Sequence, residues 1–383
     1  MSGSDVGPRI KVLHLLTLNG RKGEYGGPVR VARELCDGLN NRGHQTHIFS
    51  GALLGSEPIP KIGLSESYVV VKPLITKLPV SSLWSWKLIP SLAKLIRNSD
   101  VVHIHFARDL IPFLAAIISI VSRKPFVTQT HGMIISDNRL ITRLIDKVLT
   151  RPLINKSSTN LVLTTIELDA ISKINIKSPS KILPNGIIVE QGEKKNAGSK
   201  NLIAFCSRLN KRKGIDKFIE LATNYKNHGI KFEVFGPDGG ELNFLTSEIT
   251  SRKLDGILEY KGAINAEEVQ PILKGFDLLV LPSKDEPFPM VILESLSVGT
   301  PVLVMPSCGI APELKKFKSY FVSNTEDLDG LIEAVDAFLS ETNVNIAEEI
   351  VEFCIRNFSI QSVCAEIEKI YRNSIHGKSR RLK

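Results

Sequence analysis

Residues 281–301 read LPSKDEPFPMVILESLSVGTP, and the pattern they set runs through the chain. The apolar run DLLVLP at 277–282 ends in turn residues and reads as a buried strand. Pro287 and Pro289 bracket Phe288, so no helix can begin before about Pro289. A helix over MVILESLS then stops at Gly299, and PVLVM at 301–305 is the next strand. Strand, loop, helix and strand make one βαβ unit. Its strands are continuously apolar, as in a parallel sheet covered by helices on both faces.

The same alternation extends outward. Strands are expected at 202–207, 231–235 and 258–261, with helices at 215–227, 241–253 and 266–275. The first half repeats it, with strands at 11–16, 47–50, 68–72, 101–106, 126–130 and 161–165. Its helices are expected at 28–41, 82–97, 109–122 and 139–155. The two series meet at 181–199, whose second part is polar and glycine-containing and reads as a linker. The expected architecture is α/β, with Rossmann-like domains over 1–190 and 200–358. Parallel sheets face a central cleft, and ligands bind at the carboxyl ends of such strands. A helical pattern follows at 360–375, and 376–383 is expected to be unstructured.

Composition agrees with a globular reading. The chain has 383 residues, 43% of them hydrophobic, which suits two domains of about 150–200 residues. The longest apolar run, at 109–122, is too short to span a bilayer, which needs about 20 residues. The N-terminal MSGSDVGPRIK holds no apolar h-region, so no secretory signal is expected. Cys36, Cys206, Cys308, Cys354 and Cys364 are odd in number and without a CxxC pair, which fits buried thiols in a reducing cytosol. The formal charge of +9 is uneven: residues 1–195 carry +12 and the rest −3. The first half is therefore expected to meet something anionic.

Four segments carry chemistry. In the first, the amides of Met290, Val291 and Ile292 are expected to be free at a helix N-terminus, an anion site. Glu286 precedes them and Glu294 lies one turn above Met290. Carboxylates accept from sugar hydroxyls and repel phosphate, so this layout fits a nucleotide sugar: hydroxyls at the ends, diphosphate in the middle. The second segment, FCSRLNKRKGI at 205–215, offers Arg208 and Lys213 to a diphosphate; the alternative is a solvated basic loop. The third, TLNGRKGEYGGP at 17–28, holds Gly26 and Gly27 before a helix, where backbone can approach a phosphate. It lacks the GxGxxG spacing of a dinucleotide dehydrogenase. The fourth ends a strand at His131-Gly132, where His131 is either a catalytic or a structural residue. His103 and His105 alternate with apolar residues and read as strand residues, and Asp327-Leu328-Asp329 reads as a solvated helix start.

The set resembles the retaining GT-B-fold glycosyltransferases of glycosyltransferase family 4. Glu286 and Glu294 form its E-x7-E pattern; Ser207-Arg208-Leu209 through Lys213-Gly214 resembles its GRL…KG element, and Pro184-Asn185-Gly186 its PNG turn. Gly26-Gly27, Arg42-Gly43-His44, Asp100 to His103, His131-Gly132 and the stretch from Cys308 to Glu313 match further elements. The resemblance implies that Glu286 contacts the donor sugar and Glu294 the ribose. Arg208 and Lys213 would bind the diphosphate, Gly27 would approach it from the N-terminal domain, and His131 would lie near the anomeric carbon. It also implies transfer with retention, by front-face attack, without a metal or other cofactor. One departure matters. Many members have glycines after the first Glu, where Pro287 and Pro289 stand here. Donor contacts are then left to the amides of Phe288, Met290 and Val291.

In that fold the N-terminal domain receives the acceptor, a glycan or a lipid-linked one. Trp84, Trp86, Lys87, Lys94 and Arg97 lie along 82–97, and Arg139, Arg143, Lys147 and Arg151 recur every four residues. Such faces suit an anionic membrane surface, and the protein is expected to be cytoplasmic and peripheral on the inner membrane. The competing readings are a nucleotide-sugar epimerase of the same architecture and a basic nucleic-acid-binding protein. With 6% aromatic residues and no basic-aromatic module, no nucleic-acid partner is expected.

Overall fold

The computed structural model describes residues 8–21, 26–75, 80–135, 139–189, 201–341 and 346–381. It divides into an N-terminal unit, residues 1–186 with 360–383, and a C-terminal unit, residues 187–359. Residues 190–200, the polar part of the expected linker, lie outside the described residues.

Eight strands form the N-terminal sheet among the described residues: β1 (Lys11–Leu18), β2 (Gln45–Leu53), β3 (Glu66–Pro73), β4 (Leu83–Trp84), β5 (Val101–His105), β6 (Phe126–Gln129), β7 (Thr159–Val162) and β8 (Ser180–Ile182). Their order is β4-β3-β2-β1-β5-β6-β7-β8. All neighbours are parallel except β3 and β4, which run antiparallel at the edge. β5 and β6 are buried along their whole length, including the polar residues His103 and His105 in β5 and Thr128 and Gln129 in β6. The C-terminal sheet holds β9 (Leu202–Cys206), β10 (Lys231–Phe235), β11 (Leu258–Gly262), β12 (Leu278–Leu281) and β13 (Val302–Val304). Its order is β11-β10-β9-β12-β13, all parallel. In each sheet the chain reverses its direction of growth beside the first strand. Crevices for ligands open at such switch points, at the carboxyl ends of β1 and β5 and of β9 and β12.

Several helices differ from expectation. The stretch 82–97 begins as strand β4, and the helix occupies Leu88–Asn98. Pro90 explains the late start: it fits a first turn, whereas a helix from residue 82 would place it in the interior without an N–H. Residues 139–155 form a helix at Leu140–Ile145, a π-helical turn at Asp146–Thr150 and a short helix at Arg151–Ile154, so the four basic residues do not share one regular helix. The first helix starts at Gly26, which puts Gly26-Gly27 in its first turn rather than before it. The last helix runs from Ile360 to Arg381, so residues 376–381 are helical rather than unstructured. All five cysteines are buried and unpaired.

Within the N-terminal unit the last helix is clamped by charge. Glu368 accepts from Arg42 at 2.8 Å and from Arg372 at 2.7 Å, with His44 Nε2 at 3.3 Å. Burial works against the ionised form, but these partners hold its carboxyl down at about 2. Arg42 and His44 of the RGH element thus hold the final helix in place.

Candidate functional site

The carboxyl ends of β9 and β12 bring two sequence-predicted residues together. Lys213 Nζ donates to Glu286 Oε2 at 2.7 Å, and Arg212 reaches the same oxygen at 3.2 Å. Arg212 sits beside the site although the sequence singles out its neighbours. Lys213 ends a single 3-10 turn, Lys211–Lys213, capped by the Asn210 side chain. Gly214 follows with φ +76°, and a Cβ there would lie 2.2 Å from the Pro282 carbonyl oxygen. Only glycine lets the two loops approach this closely.

Backbone bonds hold the Glu286 loop. Lys284 N–H donates to Arg212 O at 3.0 Å, Asp285 N–H to Ser307 Oγ at 3.2 Å, and Gly309 N–H to Glu286 O at 2.8 Å. Asp285 has φ +49°, strain that these bonds maintain. The helix Met290–Ser297 then begins at Pro289. Ile292 N–H donates to Pro289 O at 3.1 Å, so it is not free as the sequence reading expects. The amides of Phe288, Met290 and Val291 have no such bond among the described residues. The Phe288 ring is buried against Phe358, edge to face at 6.1 Å. Glu294 is buried in the same helix. Arg208 is exposed on the loop after β9, which pairs with the Gly236 to Gly240 turn through Leu209 N–H to Pro237 O at 2.9 Å. That turn shapes the site and is legible in GPDGG at 236–240, though no functional signal marks it.

In the N-terminal unit Gly26 and Gly27 open a helix, and Lys22 to Tyr25 lie outside the described residues. Among the described residues nothing lies within 4 Å of a Cβ added at Gly27. His131 follows β6 with φ +50°, an uncommon conformation for a side-chain-bearing residue. Glu167 holds that turn. Its buried carboxylate accepts from Thr130 Oγ1, Gly132 N–H and Leu163 N–H, each at 2.6 Å. The sequence analysis misses Glu167. Its signal is the capping pattern of Thr164 and Glu167, whose hydroxyl-to-amide half is present at 3.2 Å while the carboxylate turns to His131's loop.

His103 and His105 are more than strand residues. His105 Nδ1 lies 2.7 Å from His131 Nε2, His105 Nε2 lies 3.2 Å from His14 Nδ1, and His103 Nδ1 lies 2.6 Å from Tyr371 Oη. Burial pushes His14 and His131 down to about 3 and His103 and His105 well below the ordinary range, so all four are neutral near pH 7. Among the described residues, His14, His103 and His105 are the group of three whose ligating atoms lie within 4.8 Å of one another. The His103 and His105 planes are parallel to within 1°, which sends their in-plane lone pairs side by side rather than to one point. Asp327 caps the helix Leu328–Leu339 by accepting from Gly330 N–H at 3.1 Å, in line with its reading as a helix start.

Comparison with known proteins identifies the architecture. Residues 25–191 match the family model described as Glycosyltransferase Family 4, and 189–353 match that described as Glycosyl transferases group 1. Among curated relatives, the O-antigen biosynthesis glycosyltransferase WclY of Escherichia coli is 33% identical over 102 residues, 27% of this chain and 28% of that protein. The chain spans about a third of the length of the curated relatives it matches. Among solved structures, Anabaena HepE in complex with UDP and glucose is similar with a TM-score of 0.72 at 18% identity, covering 94% of this chain and 99% of that one. A glycosyltransferase from Rickettsia africae is similar with a TM-score of 0.76 at 16% identity, covering 96% and 99%. The two family matches overlap at residues 189–191, between the last strand of one sheet and the first of the other, and the chain belongs to the GT-B-fold glycosyltransferases of family 4.

Proposed function

We propose that the protein is a retaining, metal-independent glycosyltransferase that moves a sugar from a UDP- or GDP-linked donor to a glycan or lipid-linked acceptor in bacterial surface polysaccharide assembly. The observation that carries this reading is the Glu286–Lys213 pair beside the amides of Phe288, Met290 and Val291 at the end of β12. The amides suit phosphate oxygens, and Lys213 offsets the repulsion between Glu286 and a diphosphate. Glu286 would accept from the donor sugar's hydroxyls and Glu294 from the ribose. Arg208, Lys213 and the helix start would meet the charge that develops on the leaving nucleotide, the task a divalent cation performs elsewhere. The relatives support the same direction: HepE is solved with UDP and glucose, and WclY is named for O-antigen biosynthesis.

The test is transfer from UDP- and GDP-sugars to a lipid-linked or glycan acceptor in the presence of EDTA. The wild-type protein is expected to give a product with the donor's anomeric configuration by NMR. Glu286→Ala is expected to lower transfer by at least about 100-fold with an unchanged circular-dichroism spectrum. Normal turnover in that variant, or an inverted product, sinks the reading.

The same proposal includes peripheral attachment to an anionic membrane surface. Its support lies less in the charges than in apolar exposure: Leu140, Ile141, Leu144 and Val148 are 59–80% exposed, beside exposed Arg143 and Lys147.

A further inference from the structure

His131, His105 and His14 form a line of imidazoles running from the end of β6 into the N-terminal sheet. Ring centroids are 5.0 Å apart for His131 and His105 and 5.5 Å for His105 and His14. With nitrogens 2.7 and 3.2 Å apart, these are the separations of rings that point nitrogen at nitrogen. Exposure falls inward from 9% at His131 to 2% at His105 and 0% at His14. At the inner end His14 Nε2 is buried and has no hydrogen-bond partner among the described residues.

Two proton arrangements leave all three rings neutral and both contacts made. In the first, His14 carries its proton on Nε2, each inner ring accepts from the ring outside it, and His131 has a bare Nδ1. In the second, His14 Nδ1–H donates to His105 Nε2, His105 Nδ1–H donates to His131 Nε2, and His131 carries its proton on Nδ1. They differ at the buried end. The first strands an N–H there and the second strands a lone pair. Orphaned buried N–H groups are the rarer of the two.

We infer that this buried chain fixes His131 as the neutral Nδ1–H tautomer, a hydrogen-bond donor at its open end, with His105 and His14 as the positioning residues. Glu167 supplies the other half of the device by holding the positive-φ backbone of His131 in place. The open end then offers a proton to a substrate oxygen and does not take one as a base. That use rests on the glycosyltransferase reading; the tautomer itself does not.

The experiment is long-range 1H–15N NMR of the full-length protein, 15N-labelled at histidine, near pH 7, with His131 assigned through His131→Gln. The expected spectrum has His131 Nδ1 protonated and Nε2 bare. His105→Leu removes the inner donor and is expected to return His131 to the solution mixture, in which Nε2–H dominates, and to lower kcat with little change in KM. His105→Asn, whose amide N–H lies where the Nδ1–H was, is expected to keep the Nδ1–H tautomer and most of the activity. Finding His131 as Nε2–H or imidazolium in the wild-type protein overturns the inference, as does an unchanged His131 in folded His105→Leu. Should the leucine variant not fold, the wild-type spectrum and His105→Asn decide the matter. Absence of transfer by the wild-type protein would sink the glycosyltransferase reading alone, leaving the tautomer result intact.

Discussion

Gly309 is the tightest single point behind the Glu286 loop. A Cβ there would lie 1.9 Å from the Pro287 carbonyl oxygen, and its N–H donates to Glu286 O at 2.8 Å. A methyl group must push the Glu286–Pro287 peptide away and take the carboxylate off Lys213. Gly309→Ala is therefore expected to destabilise the C-terminal unit by about 1–3 kcal/mol. Nucleotide binding should weaken beyond what that loss of folded protein explains. Gly27→Ala is the control for stability: among the described residues nothing lies within 4 Å of the added carbon, and stability should change by less than about 0.5 kcal/mol. Urea melts of both variants with and without UDP check the pair, and equal behaviour would refute the account. At this scale the sequence was legible where local rules apply. Two prolines force the loop before Met290, and Glu286 and Lys213 sit on adjacent loops by spacing. Ile292 was misread because a 3-10-like bond to Pro289 satisfies it. The histidine chain was illegible because His14 meets His103 and His105 only through the register of β1 against β5, which depends on long-range pairing.

Elements were legible in kind and less so in extent. Most strands of both sheets follow from their apolar runs, but β8, with one apolar residue in SKI, falls where the two series were expected to meet, and β4 was taken for helix because its two residues lie within a helical-looking pattern that Pro90 cuts. The segment 140–148 shows the cost of reading charges alone. Basic residues at every fourth position suggest a charged stripe, but the π-helical turn at Asp146–Thr150 breaks that register. Arg108 also pairs with Asp146 at 2.8 Å within it. What remains on the surface is Leu140, Ile141, Leu144 and Val148, bordered by Arg143 and Lys147. That composition belongs at a lipid interface, where the apolar side chains enter the headgroup layer and the cations meet anionic lipid. Co-sedimentation of the full chain with phosphatidylglycerol vesicles at low salt is expected. It should fall several-fold in Leu140→Asp/Leu144→Asp and only partly in high salt. Binding unaffected by the double variant, or absent in the wild type, would remove the membrane from the proposal.

At the scale of the whole molecule the histidines are divided unevenly between the two units. Seven of the eight lie in the N-terminal unit, and His228 alone in the other. Burial keeps His14, His103, His105 and His131 neutral in the fold, with His14 and His131 held down at about 3. In the unfolded chain each titrates near 6.5. Below that pH the unfolded state binds more protons than the folded one, so stability falls as pH falls and is fully present above about 6.5. Each such histidine contributes a slope of about 1.4 kcal/mol per pH unit, an upper limit of about 5–6 for all four. Glu368, held at about 2 by its arginines, acts in the same direction at lower pH. Both tryptophans, Trp84 and Trp86, belong to the N-terminal unit, so intrinsic tryptophan fluorescence follows that unit alone. Its urea midpoint is expected to drop steeply between pH 6.5 and 4.5, as the buried imidazoles lose against protonation. His103→Phe and His14→Phe, which remove titrating groups from the same core, should flatten the slope even where they lower the midpoint at pH 7. A tryptophan transition that stays level across that range would mean that the imidazoles are charged in the folded protein. The neutral chain behind His131 would then be wrong as well.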